Sequence, residues 1–176
     1  VPDGVVDEND RKVLDGRLPD FEYTVNLAAS WKGFDLSLMG QGVQGVKHYA
    51  SGWGLRPFYQ GSPISQDYID NMWTEEHTDA KYPRLYFADM GGTKNQREST
   101  YWLHNASYFR LKNLTFGYTL PKEFTSKFSI EKLRVYFTGE NLFTISNTPE
   151  GFDPELDDPY KYPMQRACSF GLNLTF

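Results

Sequence analysis

The sequence contains one cysteine, Cys168, among its 176 residues, so no disulfide can form within the chain. It lacks any apolar run near the ~18 residues that a membrane-spanning helix requires. The formal net charge is -5 at pH 7 and no basic stripe is present, which argues against binding to nucleic acid. The opening residues, VPDGVVDENDRK, are polar and do not form a signal peptide.

Large rings are nevertheless abundant in a chain that is polar on average. Aromatic residues make up 16% of the sequence, whereas the mean hydropathy is -0.59. A transmembrane β-barrel has this composition, because polar residues that face the lumen alternate with an apolar outer band edged by aromatic residues. A lectin-like, soluble carbohydrate-binding β-domain is also rich in aromatic residues, so composition alone leaves both classes open.

Five segments alternate between apolar and polar residues with a period of two, which is the pattern of β-strands. Each is near the ~9–11 residues that a tilted transmembrane strand needs. In the fourth segment the alternation blurs at residues 139–141, which suggests a bulge. The sequence therefore predicts an all-β fold of five antiparallel strands. The predicted strands are 21–31, 34–41, about 106–120, from 133 onward, and 166–176.

The connections between these strands alternate in length. Lys32-Gly33 and 121–130 are short, whereas the segments before residue 21, between 42 and 105, and before the last strand are long. Bacterial barrels alternate short periplasmic turns with long extracellular loops in this way. We therefore expect the last strand to end on the periplasmic side.

This orientation makes a second prediction about the aromatic residues. It places Trp31, Phe34, Tyr118 and Phe176 on lipid-facing positions at the periplasmic edge, where an aromatic girdle belongs. A β-sandwich with an irregular excursion of ~60 residues would be unusual. Five strands cannot close a barrel, and open edges would expose unpaired backbone to lipid. A secreted barrel also needs a signal peptide, so either the signal was cleaved or the chain is a fragment, and we expect the fragment.

Several segments resemble the C-terminal part of SusC/RagA-type TonB-linked outer-membrane proteins. The resemblance keeps the order and approximate spacing of these segments, and it covers essentially the whole of residues 1–176, which we interpret as one segment of the receptor barrel. The segments are YFRLKNLTFGYTLP (108–121), LRVYFTGENLFT (133–144), GFDPE (151–155), SFGLNLTF (169–176), GRLPDFEYTVNLAASWKGFDLSLMGQGVQG (16–45) and MWTEEHTDAKYPR (72–84).

The resemblance implies a 22-stranded barrel with an N-terminal plug, of which this chain would supply the last five strands. Such proteins span the outer membrane of Bacteroidetes and take up oligosaccharides, or in some cases peptides. A SusD-type surface lipoprotein acts as a lid, and TonB supplies energy through the N-terminal region of the complete protein. The implied partners also include the rest of the barrel and plug, the barrel-assembly machinery and outer-membrane lipid.

The final strand has the alternating form of a barrel-assembly signal. Phe170, Leu172, Leu174 and Phe176 share one face, and a free edge strand is a template for β-augmentation by assembly machinery. The alternative is that these residues only face lipid.

The start of the chain resembles the second half of a calcium loop. Asp3, Gly4, Val6 and Asp10 match later positions of the pattern D-x-N-x-D-G-x-I-x-x-x-D, and Asp7 adds a carboxylate. Hard cations need several oxygen ligands around a tight turn. Ca²⁺ is the one cofactor that the sequence suggests, and the alternative is an acidic, solvated loop.

The long excursion between the second and third strands is rich in rings, which can stack on sugars or pack against a partner. For any single ring we expect packing within the loop, and Trp73 and Tyr82 lie in segments typical of the family. Trp53 and Tyr59 lie in a more individual stretch, and we predict that they contact substrate or lid. The rings are Trp53, Tyr59, Trp73, Tyr82, Tyr86, Tyr101 and Trp102.

No motif for catalysis is present, so we expect no enzyme. His48, His77 and His104 are scattered without the spacing of zinc ligands. The acidic run DPELDD (153–158) is interpreted as a solvated loop, because runs of charge are usually exposed. A glycosidase would need two carboxylates held in a cleft.

Overall fold

A computed structural model of the chain describes residues 4, 8–49, 57–58, 61, 63–85, 99–149, 151–156 and 161–176. Within these ranges neither α-helix is long and apolar enough to cross a membrane. The helices are α1 (Gln66–Asn71) and α2 (Lys122–Thr125), and short 3-10 turns lie at Glu8–Asp10, Thr100–Trp102 and Ser126–Phe128. The strands are β1 (Phe21–Trp31), β2 (Phe34–Gln44), β3 (Lys47–Tyr49), β4 (Leu103–Asn105), β5 (Tyr108–Thr119), β6 (Lys132–Glu140), β7 (Thr144–Ser146) and β8 (Ala167–Thr175).

The long strands form one antiparallel sheet in the order β1-β2-β5-β6-β8, and β7 extends it by pairing with β5. Strands β3 and β4 form a separate two-stranded sheet in the long excursion. The prediction of five antiparallel strands is confirmed. The bounds of β1 are those predicted, whereas β2 continues to Gln44, three residues past the predicted end.

The two ends of the sheet differ in their connections. At one end, which we call the turn end, β1 joins β2 through two residues and β5 joins β6 through α2 and a 3-10 turn. Lys32 and Gly33 both have positive φ, 47° and 88°, as a type I′ hairpin turn requires. The opposite end, the loop end, carries the three longer segments. The predicted alternation of short and long connections is therefore present.

The sheet has one apolar face and one polar face, because cross-strand neighbours share a face and successive residues alternate. Many apolar-face side chains are exposed, including Phe170 and Leu172. The apolar face carries Tyr23, Val25, Leu27, Ala29, Trp31, Phe34, Leu36, Leu38, Leu114, Phe116, Tyr118, Leu133, Val135, Phe137, Phe170, Leu172 and Leu174. The polar face is dominated by Thr24, Asn26, Ser30, Asp35, Ser37, Asn113, Thr115, Thr119, Arg134, Thr138, Ser169, Asn173 and Thr175.

The described strands of this sheet make a single layer, unlike the two layers of a β-sandwich. Buried apolar residues instead collect near the loop end, in a small cluster of Val43, Val46, Ala106 and Tyr108. A soluble protein rarely leaves an apolar face of this extent uncovered. The apolar face is therefore suited to lipid.

A β-bulge changes the phase of alternation in the middle of β5. Met39 of β2 faces Asn113, whereas the next residue, Gly40, faces Leu111. Lys112 is therefore the additional residue on β5, and a bulge of this kind redirects side chains. In β5, the polar face carries the side chains at even positions before the bulge and those at odd positions after it.

The neighbouring strand is irregular at the same level. Residues 141–143 separate β6 from β7 and lie opposite Leu111 and Lys112. The backbone N–H of Asn141 donates to Lys112 O over 3.1 Å, and Asn141 has a φ of 50°. β6 pairs without a register shift through Glu140, and the irregularity is the break at 141–143 between β6 and β7, so no bulge lies within β6 at residues 139–140.

Candidate functional site

Residues of the long excursion fold into a packed aromatic cluster at the loop end. The rings of Tyr68 and Tyr82 stack with centroids 4.5 Å apart and planes at 12°. Trp102 is buried beside them, with 1% of its surface exposed, and Tyr101 meets it edge-on at 4.9 Å. Tyr82 and Trp102 thus pack within the loop, as expected for most rings of this segment. The surrounding residues are Tyr49, Ile64, Met72 and Leu85.

The carboxylate of Asp67 ties this cluster to helix α1. It accepts a hydrogen bond from Lys81 Nζ at 2.8 Å, one from the Tyr82 hydroxyl, and one from Asn71 Nδ2 at 2.9 Å. The bonds from Lys81 and Tyr82 hold the pKa of Asp67 below its usual range, and the bond to Asp67 raises the pKa of Lys81. Burial raises the pKa of Tyr82. All three groups therefore keep fixed protonation states near neutral pH, as suits a scaffold.

A second polar network fastens the loop after β7 to the polar face. Arg110 Nη2 donates to Asp153 Oδ1 over 2.6 Å, and Arg110 Nη1 lies 2.9 Å from Glu155 Oε1. Lys112 Nζ lies 2.6 Å from both carboxylate oxygens of Glu155. The side chains of Arg110 and Asp153 are each 4% exposed. Two cations and two anions thus neutralise each other in a buried site that we call the loop latch.

The backbone of the loop completes the latch. Asp153 also accepts hydrogen bonds from the N–H of Glu155 at 3.0 Å and of Met164 at 2.8 Å. Burial acts to raise the pKa of Asp153, but the bonds from Arg110 and from these amides outweigh it and hold the pKa below its usual value. The bulge at Lys112 makes this arrangement possible, because it places Arg110 and Lys112 on the polar face without disturbing the alternation beyond.

The loop latch corrects the interpretation of the acidic run 153–158. Asp153 and Glu155 are buried ion-pair partners rather than solvated charges, while 157–158 lie outside the described residues. Arg110 and Lys112 were not among the candidate residues predicted from the sequence. Arg110 and Lys112 are two residues apart within a predicted strand, a spacing that puts both cations on one face. Together with the acidic loop segment 153–158, this spacing could have indicated the ion pairs.

The turn end of the polar face carries a separate ion pair. Arg134 Nε donates to Asp35 Oδ1 over 2.9 Å. Arg134 lies across Gly117 of the intervening β5, where a Cβ atom would stand 2.5 Å from Arg134 Nη2. The guanidinium also lies 4.9 Å from the centroid of the Tyr136 ring. Because Gly117 has no side chain, the guanidinium of Arg134 and the carboxylate of Asp35 can lie flat against the sheet.

The predicted contact and metal residues lie largely outside the described part of the chain. Trp53, Tyr59, Asp3 and Asp7 belong to the undescribed ranges, whereas Asp10 is exposed and ends the 3-10 turn near the start. In the described ranges no group of three or more His, Cys, Asp or Glu side chains is placed to hold a metal ion. The calcium and substrate-contact assignments stay predictions.

The proposed assembly signal lies on β8, at the edge of the sheet. Phe170, Leu172 and Leu174 alternate on the apolar face and Phe176 follows the last paired residue, with all four exposed. Their placement is as predicted, and their role in assembly stays a prediction.

No protein-family model matches the chain. TonB-dependent receptor P3 of Formosa agariphila is 30% identical over an alignment of 190 residues that covers 98% of this chain and 18% of that protein. TonB-dependent receptor P26 of the same organism is 27% identical, with 99% and 19% covered. TonB-dependent receptor SusC of Bacteroides thetaiotaomicron is 38% identical over 82 residues, with 44% and 8% covered. The chain spans about a fifth of the length of the two receptors from Formosa agariphila.

Solved structures give the same result. The RagAB peptide transporter matches with a TM-score of 0.70 and 28% identity, over 93% of this chain and 18% of that chain. The RagAB peptide importer in the closed-closed state matches with a TM-score of 0.65 and 27% identity, over 99% and 20%. The sheet is antiparallel, with one apolar face and one polar face, and the chain that forms it is similar to these receptors. It therefore forms part of the wall of a receptor β-barrel. The chain belongs to the SusC/RagA-type TonB-dependent receptors, as a C-terminal segment of such a protein.

Proposed function

We propose that this chain forms part of the wall and mouth of an outer-membrane importer of oligomeric nutrients that is coupled to TonB. The observation that carries the proposal is the two-faced sheet, whose apolar face suits lipid and whose polar face suits a lumen, in a chain 30% identical to a TonB-dependent receptor. The turn end then faces the periplasm and the loop end faces the outside. The rest of the barrel, a plug and a SusD-type lipoprotein lid complete the importer.

The membrane assignment has a direct test. The complete receptor that carries this chain should partition with the outer membrane and need detergent for extraction. Recovery of the isolated chain as a monodisperse, detergent-free monomer with a closed core would contradict the assignment and favour a soluble carbohydrate-binding domain.

Oligosaccharides are our first substrate class and peptides the second. The similarity to SusC supports nutrient uptake by a receptor of this type, and the matched RagAB structures are of a peptide transporter, which keeps peptides as a specific alternative. The polar face offers mainly hydroxyl and amide groups, such as Thr24, Asn26 and Thr115, which hydrogen-bond sugars and peptides alike. We therefore expect the loops at the mouth, rather than the polar face, to determine which substrate is bound.

Growth of a deletion strain separates the two classes. Loss of growth on defined oligosaccharides, with growth on peptides retained, would support the first class, and the reverse result would support the second. Complementation with Trp53→Ala and Tyr59→Ala variants then tests their contact with substrate or lid. The matched control is Ile69→Ala, an exposed apolar residue of α1. Full growth of both aromatic variants would show that neither Trp53 nor Tyr59 makes a required contact with substrate or lid.

A further inference from the structure

Two histidines that are far apart in the sequence lie directly opposite each other at the base of the long excursion. Strand β3 leads into the excursion and β4 leads out of it, and their register pairs His48 with His104. Residues that are opposite each other in a ladder project to the same face, with Cβ atoms about 4.5–5.5 Å apart. The fold thus brings together two imidazole rings that the sequence leaves scattered.

The next hydrogen bond of the ladder fixes the geometry of this pair. Ala106 N donates to Val46 O over 2.9 Å, which makes these two residues a hydrogen-bonded pair. Such pairs recur at every second residue of an antiparallel ladder, so His48 and His104 form one as well, with Cα atoms about 5.5 Å apart. At this separation both rings can turn toward one ion, because a zinc ion lies about 2.0–2.1 Å from each imidazole nitrogen that binds it.

The surroundings of the pair are partly apolar. Val46 and Ala106 follow on the same face and are buried, whereas both histidines are half-buried. Burial lowers the pKa of His104, and the nearby charge of Lys81 acts in the same direction. A histidine must be neutral to bind a metal ion. His104 is therefore in the form of a ligand at neutral pH.

Two lysines near the pair are engaged elsewhere. Lys47 Nζ donates to Asp15 O over 3.4 Å, and its stem lies on Gly16, where a Cβ atom would stand 2.8 Å from Lys47 Cδ. As the residue before His48, it belongs to the opposite face of β3. Lys81 Nζ lies 2.8 Å from Asp67 Oδ2, which neutralises it. Each ammonium therefore already has a partner outside the histidine pair.

The ribbon formed by β3 and β4 is short for the segment that it closes. Each strand has three residues, and a two-stranded ribbon is at best marginally stable by itself. A cross-link between the ends of a long loop removes more conformational entropy from the unfolded chain than one across a short loop. A metal ion that bridges the two strands would be a cross-link of this kind.

We propose that His48 and His104 bind a divalent transition-metal ion, which clips β3 to β4 at the base of the excursion. Imidazole nitrogen suits Zn²⁺, Cu²⁺ and Ni²⁺, and two protein ligands leave the other coordination positions to water. The site differs in place and in chemistry from the calcium loop predicted near the start of the chain, because calcium takes oxygen ligands. It belongs to the excursion and does not rest on the membrane assignment.

Modification of histidine by diethyl pyrocarbonate tests the site in the unsubstituted complete receptor, with Zn²⁺ or Cu²⁺ alone as the probe. A ring nitrogen that binds metal cannot react. We therefore expect the modification of His48 and His104, measured by mass spectrometry, to slow several-fold with metal and to recover with EDTA. His77 is exposed and serves as the internal control. Equal rates with and without metal at 48 and 104 would overturn the proposal, and equal protection of all three would show an adventitious ion only.

Substitutions distinguish one shared ion from two separate contacts. His48→Asn should abolish the protection of His104, whereas His77→Asn should preserve it. His104→Cys should keep the protection of His48 by Zn²⁺, because a thiolate is also a zinc ligand, whereas His104→Asn should abolish it. Protection of His104 that persists in His48→Asn would contradict the shared ion.

Hydrogen exchange measures the clip itself. The amide of Ala106 bonds across the base of the ribbon, and we expect Zn²⁺ to slow its exchange several-fold. The effect should be retained in His77→Asn and lost in His48→Asn. Exchange that stays unchanged while Zn²⁺ protects both histidines would overturn the clip, because the ion would then bind without fastening the strands.

Discussion

Arg134 reaches across strand β5 to bind Asp35, with 2.9 Å between Nε and Oδ1. The residue beneath the guanidinium is Gly117, so one missing side chain lets an ion pair bridge strands that are not neighbours. On the polar face, this arrangement lays the two charges flat against the sheet and neutralises them locally.

Gly117→Ala is expected to disrupt this ion pair. The new Cβ would stand 2.5 Å from Arg134 Nη2, so the guanidinium at the end of this flexible side chain must move away, and the expected cost is that of a partly exposed ion pair, about 0.2–1 kcal/mol. Heat-induced unfolding of the complete receptor should begin at a lower temperature, with Thr115→Ala on the same face of β5 as control. In an Arg134→Ala background most of the cost should vanish. A cost that is unchanged in that background would show that the strain lies elsewhere.

Asp153→Ala is expected to open the loop latch. Removing one partner of a buried ion pair costs about 3–5 kcal/mol, and we expect the lower end because Glu155 still neutralises Arg110. The amides of Glu155 and Met164 lose their acceptor, so their hydrogen exchange should accelerate by roughly 100-fold. Asp79→Ala, in an exposed position, is the control. Unchanged exchange at both amides would contradict the latch.

The latch should remain closed in mildly acidic medium. The pKa of Asp153 in the folded protein lies below its ordinary value of 3.8. Its contribution is therefore fully present above that value and is lost only as the pH falls through the lower, folded pKa. Slow exchange of the Met164 amide at pH 5, after correction for intrinsic rates, is the expected result. If exchange of the Met164 amide instead accelerates between pH 7 and pH 5, a group other than Asp153 controls the opening of the latch.

Ser129→Gly should stabilise the connection between β5 and β6. Ser129 has a φ of 56° at the left-handed position of the Schellman motif, where a side chain costs roughly 1 kcal/mol or more. The greater freedom of glycine in the unfolded chain offsets part of this, so a gain of a few tenths to about 1 kcal/mol is expected. Ser37→Gly, within β2, should destabilise instead. The measurement is the unfolding temperature of the complete receptor.

Phe176→Ala should reduce assembly of the receptor if the assembly machinery recognises strand β8 and the residue that follows it. The expected result is less folded receptor in the outer membrane, with the unfolding temperature of the assembled fraction unchanged. Thr175→Ala on the opposite face is the control. A lower unfolding temperature with normal abundance would instead assign Phe176 to lipid contact alone.

The calcium assignment predicts a metal-dependent change in stability. EDTA should lower the unfolding temperature of the complete receptor, and Ca²⁺ should restore it. Asp10→Asn should weaken this response, whereas Asp79→Asn should not. A response to EDTA that is identical in both variants would place the metal elsewhere, and no response at all would favour a solvated loop.

The sequence by itself determined the strands and their faces. In a sheet with one apolar face, a shift of one residue would reverse every side chain, so the period-two pattern fixes the register in advance. Segments such as 21–31 and 169–176 could therefore be assigned residue by residue. The short turn at Lys32-Gly33 could also be predicted from the local sequence, because its geometry depends only on two consecutive positive φ angles.

Only the tertiary structure decided where the polar networks form. The alternation of the first half of β5 was not assigned, because the bulge at Lys112 reverses its phase and depends on pairing with two neighbouring strands. Arg110 and Asp153 are 43 residues apart, and no local pattern links them. An acidic loop looks solvated in sequence, because burial of its charges depends on cations that a distant strand supplies.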